Sequence, residues 1–125
     1  MAQREGYSTV SPYVLAWGAP RLIEFARDVF GGEILMRQDR EDGTVRHASV
    51  RIGDSVVMIA DGSEQFPHFP IWLHIYVDDV DAVFGRALDH GGIAMDAPKD
   101  QADGDRRGAV RDPSGNIWWI ASARG

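Results

Sequence analysis

The sequence contains no cysteine, and this absence excludes several kinds of chemistry. Disulfide bonds, thiolate metal sites and cysteine nucleophiles are ruled out, and the composition fits a reducing compartment. No apolar run approaches the roughly 18 residues that a membrane-spanning helix requires. The stretch from Met1 to Tyr7 is polar and indicates no targeting segment. We therefore expect a cytoplasmic protein with no membrane contact.

Basic side chains are scarce relative to acidic ones, with 13 Lys and Arg against 19 Asp and Glu and a net charge of −6. Nucleic-acid-binding proteins usually present a basic face, so this balance argues against a nucleic-acid partner. The 125 residues suit a single domain that buries a real core, and the 44% hydrophobic share is ordinary for a globular protein.

What the sequence does contain is an internal repeat. Ile59-Ala60 and Ile120-Ala121 end two similar apolar runs and lie 61 residues apart (120 − 59). Each half of the chain begins with an apolar run that predicts a strand. An amphipathic helix follows and stops at a Gly-Gly pair, and three further strands complete the half. The predicted strands are 11–17, 33–38, 45–52 and 55–60 in the first half, and 71–77, 93–95, 106–111 and the run after the turn 112–115 in the second, with a polar loop at 98–105.

This pattern predicts an α+β domain over residues 1–125, built from two tandem βαβββ modules at about 11–60 and 71–122, with a linker at 61–70. Two different halves do not make a solenoid, which needs several stacked units. We expect the modules to form a concave, partly open mixed sheet with both helices outside.

Alternation along each strand assigns side chains to faces. One set is predicted to face the helices: Val14, Ala16, Val57, Ile59, Leu73, Ile75, Val77, Trp118 and Ile120. The other set is predicted to face the concave side: Ser11, Tyr13, Leu15, Met58, Ala60, Trp72, His74, Tyr76, Ile117 and Trp119, joined by His47 and Ser49. On the strand 45–52, the set Ala48, Val50 and Ile52 is predicted to be the more buried one.

Paired βαβββ modules with a D-P-x-G-N-x-W motif, here Asp112 to Trp118, resemble the vicinal oxygen chelate superfamily of glyoxalase I, bleomycin-resistance proteins and extradiol dioxygenases. Three segments are similar to its PhnB-like branch: Pro12-Tyr13-Val14 with Ile23-Glu24-Phe25, the run from Tyr76 to Phe84, and the run from Gly104 to Ala121. The resemblance spans roughly residues 11–121 and implies the fold more strongly than any activity.

The resemblance also implies where a metal would bind. Metal-dependent members place four His, Gln or Glu ligands on the first and last strands of the two modules. Carried onto this chain, those positions are Ser11, Met58, Trp72 and Trp119. Serine is a poor ligand, methionine is soft, and an indole N–H does not coordinate, so we predict no metal and no other cofactor.

We therefore predict a metal-independent protein that binds an apolar, aromatic or cationic small molecule, much as bleomycin-resistance proteins sequester a drug, and that forms a homodimer. No catalytic residue is assigned. The predicted ligand-binding residues are Tyr13, His47, Met58, Trp72, His74, Tyr76, Trp119 and, beside the polar loop, Arg106.

Two alternatives remain open. One is a glyoxalase-like lyase or isomerase whose divalent metal is held by a non-standard set such as His47, His74 and Glu64. The other is a structural dimer without a ligand, in which Trp72 and Trp119 only fill space.

Overall fold

Both halves of the repeat fold into the same order of elements: one strand, one helix and three strands. The computed structural model describes residues 2–123, and the chain divides into unit 1, Met1–Phe69, and unit 2, Pro70–Gly125. Unit 1 contains β1 (Tyr13–Ala16), α1 (Ala19–Phe30), β2 (Glu33–Asp39), β3 (Val45–Ile52) and β4 (Ser55–Asp61). Unit 2 contains β5 (Trp72–Tyr76), α2 (Val80–Asp89), β6 (Ile93–Asp100), β7 (Arg106–Arg111) and β8 (Ile117–Ser122). The predicted α+β class and tandem βαβββ modules are confirmed.

Each unit has one mixed four-stranded sheet, with the strand orders β1-β4-β3-β2 and β5-β8-β7-β6. The first strand of each unit runs parallel to the last, and the other neighbours are antiparallel. Tyr13 lies opposite Met58 in unit 1, and His74 lies opposite Trp119 in unit 2. By this register, Tyr13 is the counterpart of His74 in the repeat, and Met58 is the counterpart of Trp119.

The two helices begin and end where the sequence indicates. α1 has Pro20 in its first turn and ends at Gly31, whose φ of 71° is the left-handed conformation that glycine favours. In α2, the Asp79 carboxylate accepts a hydrogen bond from the Ala82 amide at 3.1 Å and caps the helix N-terminus. Both helices bury an apolar stripe; in α1 the stripe includes Leu22, Ile23 and Phe25.

The helix-facing sides of the sheets form the core of each unit. Val14, Ala16, Val57, Ile59, Trp118 and Ile120 are all buried, as alternation predicts. Leu73, Ile75 and Val77 are only half-buried, although they alternate with exposed neighbours in the expected way. In α2 the buried stripe ends at Ala87, and Leu88, which follows it in the last turn, is 39% exposed.

β6 is longer than predicted. The sequence predicted a strand at 93–95 and a loop at 98–105, whereas the strand runs to Asp100 and the loop occupies only 101–105. The sequence did not predict this extension, because Pro98 has no N–H to donate to a neighbouring strand. β6 is the edge of its sheet, where proline is tolerated, and its pairing with β7 shifts register on both sides of Asp96.

The prediction for the two faces of β3 was partly wrong. Ser49 was placed on the less buried face, yet it is completely buried, whereas Ile52 is only half-buried. Ser49 lies between Met36 on β2 and Met58 on β4, whose long side chains flank its small one.

Neither helix within residues 2–123 is long and apolar enough to cross a membrane.

Candidate functional site

Two sheet faces carry the side chains that the sequence singled out. In unit 1, Tyr13, His47, Ser49 and Met58 share the side of the sheet that faces away from the core, which we call the Tyr13 face. In unit 2, Trp72, His74, Tyr76 and Trp119 share the corresponding side, which we call the Trp119 face. Alternation along strands of known register therefore assembles the predicted residues in two groups, one in each unit.

On the Tyr13 face, three polar side chains form a hydrogen-bonded chain. The Tyr13 hydroxyl lies 3.1 Å from His47 Nδ1, and the Ser49 hydroxyl lies 3.2 Å from His47 Nε2. In a neutral imidazole one nitrogen donates and the other accepts, and a hydroxyl can match either role. Both ring nitrogens are therefore satisfied, so the ring is held in one orientation.

Beside this chain, unit 1 contains a pocket of about 760 Å³. Residues 3–8 line one part of it, so the N-terminal segment contributes to the site, which the sequence did not indicate. The side chain of Ser8 accepts a hydrogen bond from the Val56 amide at 3.1 Å and fastens this segment to β4. The strands contribute Leu35, Met36, His47, Ser49, Arg51 and Met58. A concave, mostly apolar site with a few polar groups is typical of small-molecule binding.

The Trp119 face is an aromatic surface. The rings of Trp72 and Trp119 are 5.6 Å apart and tilted, and those of His74 and Tyr76 are 4.9 Å apart, edge to face. These separations lie within the range in which aromatic rings attract one another. Trp72 is 73% exposed and Tyr76 64% exposed, so most of this surface is open within the chain.

Arg106 is not on this face. Val110 lies opposite Trp118, and Arg106 has the same parity as Val110, so both belong to the helix-facing side of the sheet. Its guanidinium makes two hydrogen bonds to Asp81 on α2, at 2.8 and 2.9 Å, and one to Asp100 at 3.1 Å. Those carboxylates raise the pKa of Arg106 above its ordinary value. Its role is to join α2 to the β6–β7 hairpin.

The next residue, Arg107, occupies the Trp119 face instead. Arg107 Nη2 lies 2.9 Å from Asp103 and 3.1 Å from Asp105, and the Tyr76 hydroxyl donates to Asp105 at 3.4 Å. Arg107 Nε is buried and has no partner among the described residues. Ala109 lies opposite Trp119, and Arg107 lies two residues before Ala109 on the same strand. Alternation along 106–111 therefore groups Arg107, and not Arg106, with the Trp119 face.

The D-P-S-G-N turn holds the start of β8 in place. One carboxylate oxygen of Asp112 accepts hydrogen bonds from the amides of Ser114 and Asn116, and the other accepts from the Asn116 side chain and from Trp118 Nε1 at 2.8 Å. The Asn116 side chain in turn accepts from the Ile71 amide. The motif therefore fixes Trp118 in the core and sets Trp119 on the opposite face.

The four positions that the family resemblance assigned to metal ligands do not suit a metal. Ser11 offers a neutral hydroxyl and Met58 a soft thioether, and the indoles of Trp72 and Trp119 lie against each other. Elsewhere in residues 2–123, no group of three or more His, Asp or Glu side chains is arranged to hold a metal ion.

Comparison with known proteins agrees with this architecture. Residues 18–120 match the family described as the Glyoxalase/Bleomycin resistance protein/Dioxygenase superfamily. An uncharacterized protein of Mycobacterium bovis is 36% identical over 120 residues, which cover 87% of this chain and 79% of that protein.

Solved structures give the same result. TioX from Micromonospora sp. ML1 has a TM-score of 0.72 and 29% identity, over 94% of this chain and 98% of that one. TnmS3, an antibiotic binding protein from Streptomyces sp. CB03234, has a TM-score of 0.70 and 22% identity, over 94% of this chain and 99% of that one. At that identity, the likeness to TnmS3 establishes the fold alone.

Proposed function

This chain belongs to the Glyoxalase/Bleomycin resistance protein/Dioxygenase superfamily, and from that premise we propose that it is a metal-independent small-molecule-binding protein. Its ligand is an organic compound with a flat aromatic or apolar body. Each unit offers its own set of contact residues: Tyr13, His47 and Met58 on the Tyr13 face, and Trp72, His74, Tyr76 and Trp119 on the Trp119 face.

One observation carries this proposal: the positions where metal-dependent relatives would hold their ion are occupied by side chains suited to contact with an organic ring. Met58 lines the unit 1 pocket, and Trp72 and Trp119 lie against each other in unit 2. Thioether and indole groups bind flat apolar surfaces well and coordinate hard divalent ions poorly. The antibiotic binding protein TnmS3, which has the same fold, is consistent with a sequestering role.

The cellular setting of the proposal is a cytoplasmic homodimer. The exposed rings of Trp72 and Tyr76 form an apolar surface of the kind that second subunits and ligands cover. In such a dimer, binding would remove a compound from solution without changing it chemically. The proposed role is therefore sequestration, including resistance to a toxic aromatic compound.

Fluorescence titration with N-phenyl-1-naphthylamine, a neutral dye that becomes brighter in apolar sites, tests the proposal. We expect saturable binding to the wild-type chain and at least a tenfold loss of affinity in Met58→Lys, because the unit 1 pocket loses an apolar thioether and gains a charge. Met95→Lys is the matched control, since Met95 is also an accessible methionine but lies on β6 of unit 2. Absence of saturable binding, or equal losses in both variants, would contradict the proposal.

Metal analysis tests separately whether the protein binds its ligand without a metal ion. Protein purified without chelator should contain far less than one equivalent of nickel, zinc, manganese or iron per chain by plasma mass spectrometry. Dye affinity should be unchanged by a chelator. A stoichiometric metal whose removal abolishes a glyoxalase-like activity would instead establish the lyase or isomerase alternative.

A further inference from the structure

The charged side chains around the unit 1 pocket do not follow the charge of the protein. The chain as a whole carries a net charge of −6. Its pocket, in contrast, is lined by Arg4 and Arg51 against one carboxylate, Glu5, with His47 beside them. Glu33 does not line the pocket but pairs with Arg51, so two arginines face two carboxylates and the region is close to neutral within an acidic molecule.

Arg51 retains donors that a ligand can use. It lies on β3 two residues beyond Ser49 and therefore on the Tyr13 face. Its Nη2 is held by Glu33 at 2.8 Å, an ion pair that fixes the guanidinium without occupying its other nitrogens. No other hydrogen bond engages Arg51 among the described residues, and its Nη1 approaches the turn at Gly6 of the N-terminal segment. The fixed fork of an arginine suits the oxygens of a carboxylate or sulfonate.

Arg4 supplies the second positive charge. Its guanidinium lies 5.9 Å from the centre of the Tyr7 ring, over the ring, and forms no ion pair with another described residue. A turn holds this part of the chain together, since the Gln3 side chain donates to the Tyr7 carbonyl at 2.8 Å. The cation is thus positioned by local contacts at the pocket and is not neutralised there.

The Trp119 face of unit 2 is different. Its half-buried cation, Arg107, is held by two carboxylates, Asp103 and Asp105, so this cluster carries no excess positive charge. Arg111, the counterpart of Arg51 sixty residues later, lies opposite Ile93, whereas Arg51 lies opposite Glu33. Of the four arginines compared, Arg4 and Arg51 are the two that line the unit 1 pocket.

We propose that the unit 1 pocket binds an aromatic anion, with the ring against Met36 and Met58 and the acidic group at Arg51 and Arg4. This inference rests on the proposed binding function and names the class of its ligand: a planar compound carrying a carboxylate, sulfonate or phenolate. Low-dielectric walls concentrate the field of the two guanidinium groups, while the acidic exterior of the protein disfavours anions elsewhere. The sequence allowed a cationic ligand, whereas the pocket residues favour an anionic one.

Two dyes with one skeleton test the inference. The anion 8-anilinonaphthalene-1-sulfonate differs from N-phenyl-1-naphthylamine only by its sulfonate, and both become brighter in apolar sites. In Arg51→Gln, and more fully in Arg4→Gln/Arg51→Gln, we expect the affinity for the sulfonate to fall, by about tenfold in the double variant. Binding of the neutral dye should stay within about twofold, which also shows that each variant is folded. Added salt should weaken only the binding of the sulfonate to the wild-type protein.

Arg111→Gln is the matched control, because it removes the corresponding arginine from unit 2, and it should leave both affinities unchanged. The inference is overturned if the neutral dye binds and the sulfonate does not, if both dyes respond equally to Arg51→Gln, or if Arg111→Gln removes as much sulfonate affinity as Arg51→Gln. Those results would leave the proposed binding function intact. Failure of both dyes to bind the wild-type protein would overturn the function together with the inference.

Discussion

Asp112 is a buried carboxylate that accepts several hydrogen bonds from its own turn. Four donors, two from the backbone and two from side chains, converge on its two oxygens. Burial nevertheless dominates and raises the pKa of Asp112 above its ordinary value, while the hydrogen bonds from Trp118, Asn116 and Ser114 act in the opposite direction. An ionised carboxylate can accept from all four donors at once.

Replacing Asp112 by Asn should destabilise the protein by roughly 2–3 kcal/mol at neutral pH, because an amide cannot accept from all four donors and at least one buried N–H loses its partner. Because the native pKa is raised, the native state keeps a proton in a pH range where the unfolded chain, which titrates at about pH 4, has released it. The stabilisation contributed by this protonation is complete below the unfolded pKa and is lost as pH rises through the native pKa.

The measurement is the free energy of unfolding in urea, for wild type and Asp112→Asn, from about pH 4 to neutral pH. The advantage of the wild type should shrink as pH rises across the lower part of this range. Asp54→Asn, at the exposed turn between β3 and β4, is the control and should change stability by less than about 0.5 kcal/mol. An advantage that grows with pH would contradict the raised pKa of Asp112.

At the residue scale, the sequence predicted which side chains share a face but not what neutralises each charge. Alternation correctly joined Trp72, His74, Tyr76 and Trp119. Arg106 was assigned to the binding site because it adjoins a polar loop, yet its partner Asp81 lies 25 positions away on α2. An ion pair of this kind depends on how a helix packs on a sheet, which the local pattern of residues does not encode.

At the scale of elements, Asp61 connects three of them. Its carboxylate accepts hydrogen bonds from the Ala19 amide at 2.8 Å and from the Val45 amide at 2.6 Å. Ala19 begins α1, whose N-cap residue is Gly18 and has no side chain to supply the cap. The last residue of β4 therefore caps α1 and also fixes the start of β3.

Replacing Asp61 by Ala should cost roughly 2–4 kcal/mol of unfolding free energy, because it leaves two buried N–H groups without an acceptor. Asp61→Asn should cost less, since one oxygen remains available. The denaturant dependence of the unfolding free energy should stay near the wild-type value, showing that the loss is local.

The control for Asp61 is Asp39→Ala at the end of β2, where the carboxylate makes an exposed ion pair with Arg37. That pair should contribute less than about 1 kcal/mol. If Asp39→Ala destabilises the protein as much as Asp61→Ala, Asp61 does not have the proposed role of joining three elements.

The sequence predicted the ends of the helices better than the ends of two strands, β4 and β6. Both helices ended at the predicted glycine pairs, because a positive φ leaves a signal in the residue type itself. Asp61 was placed in the linker, because an aspartate followed by glycine is typical of a turn. In the structure Asp61 belongs to β4, and its carboxylate binds two amides from α1 and β3. These partners are far away in the sequence, so the residues next to Asp61 do not indicate them. The extension of β6 past Pro98 depends in the same way on its position at the edge of the sheet.

At the scale of the whole molecule, the repeat has produced two units with the same fold and different surfaces. The Tyr13 face is adjoined by the N-terminal segment, which lines a pocket with it. The described part of unit 2 has no such segment against Trp72 and Tyr76, since the chain enters β5 directly from Pro70 and Ile71. The same fold thus presents a lined pocket in one unit and an open aromatic face in the other. The open face would be covered by a second subunit in the homodimer that we propose.

The homodimer is expected to depend on Trp72. Light scattering after size-exclusion chromatography should give twice the chain mass of 13.8 kDa at micromolar concentrations. Trp72→Lys should raise the dimer dissociation constant at least about thirtyfold, because a buried interface tryptophan typically contributes 2 kcal/mol or more and lysine would bring an unpaired charge into an apolar contact. Trp17→Lys is the matched control: Trp17 is 72% exposed, almost the same as Trp72, but lies outside the Trp119 face. A wild-type chain that stays monomeric at these concentrations, or equal dissociation of both variants, would show that the Trp119 face does not hold a second subunit. Its exposed rings would then be available to the ligand alone.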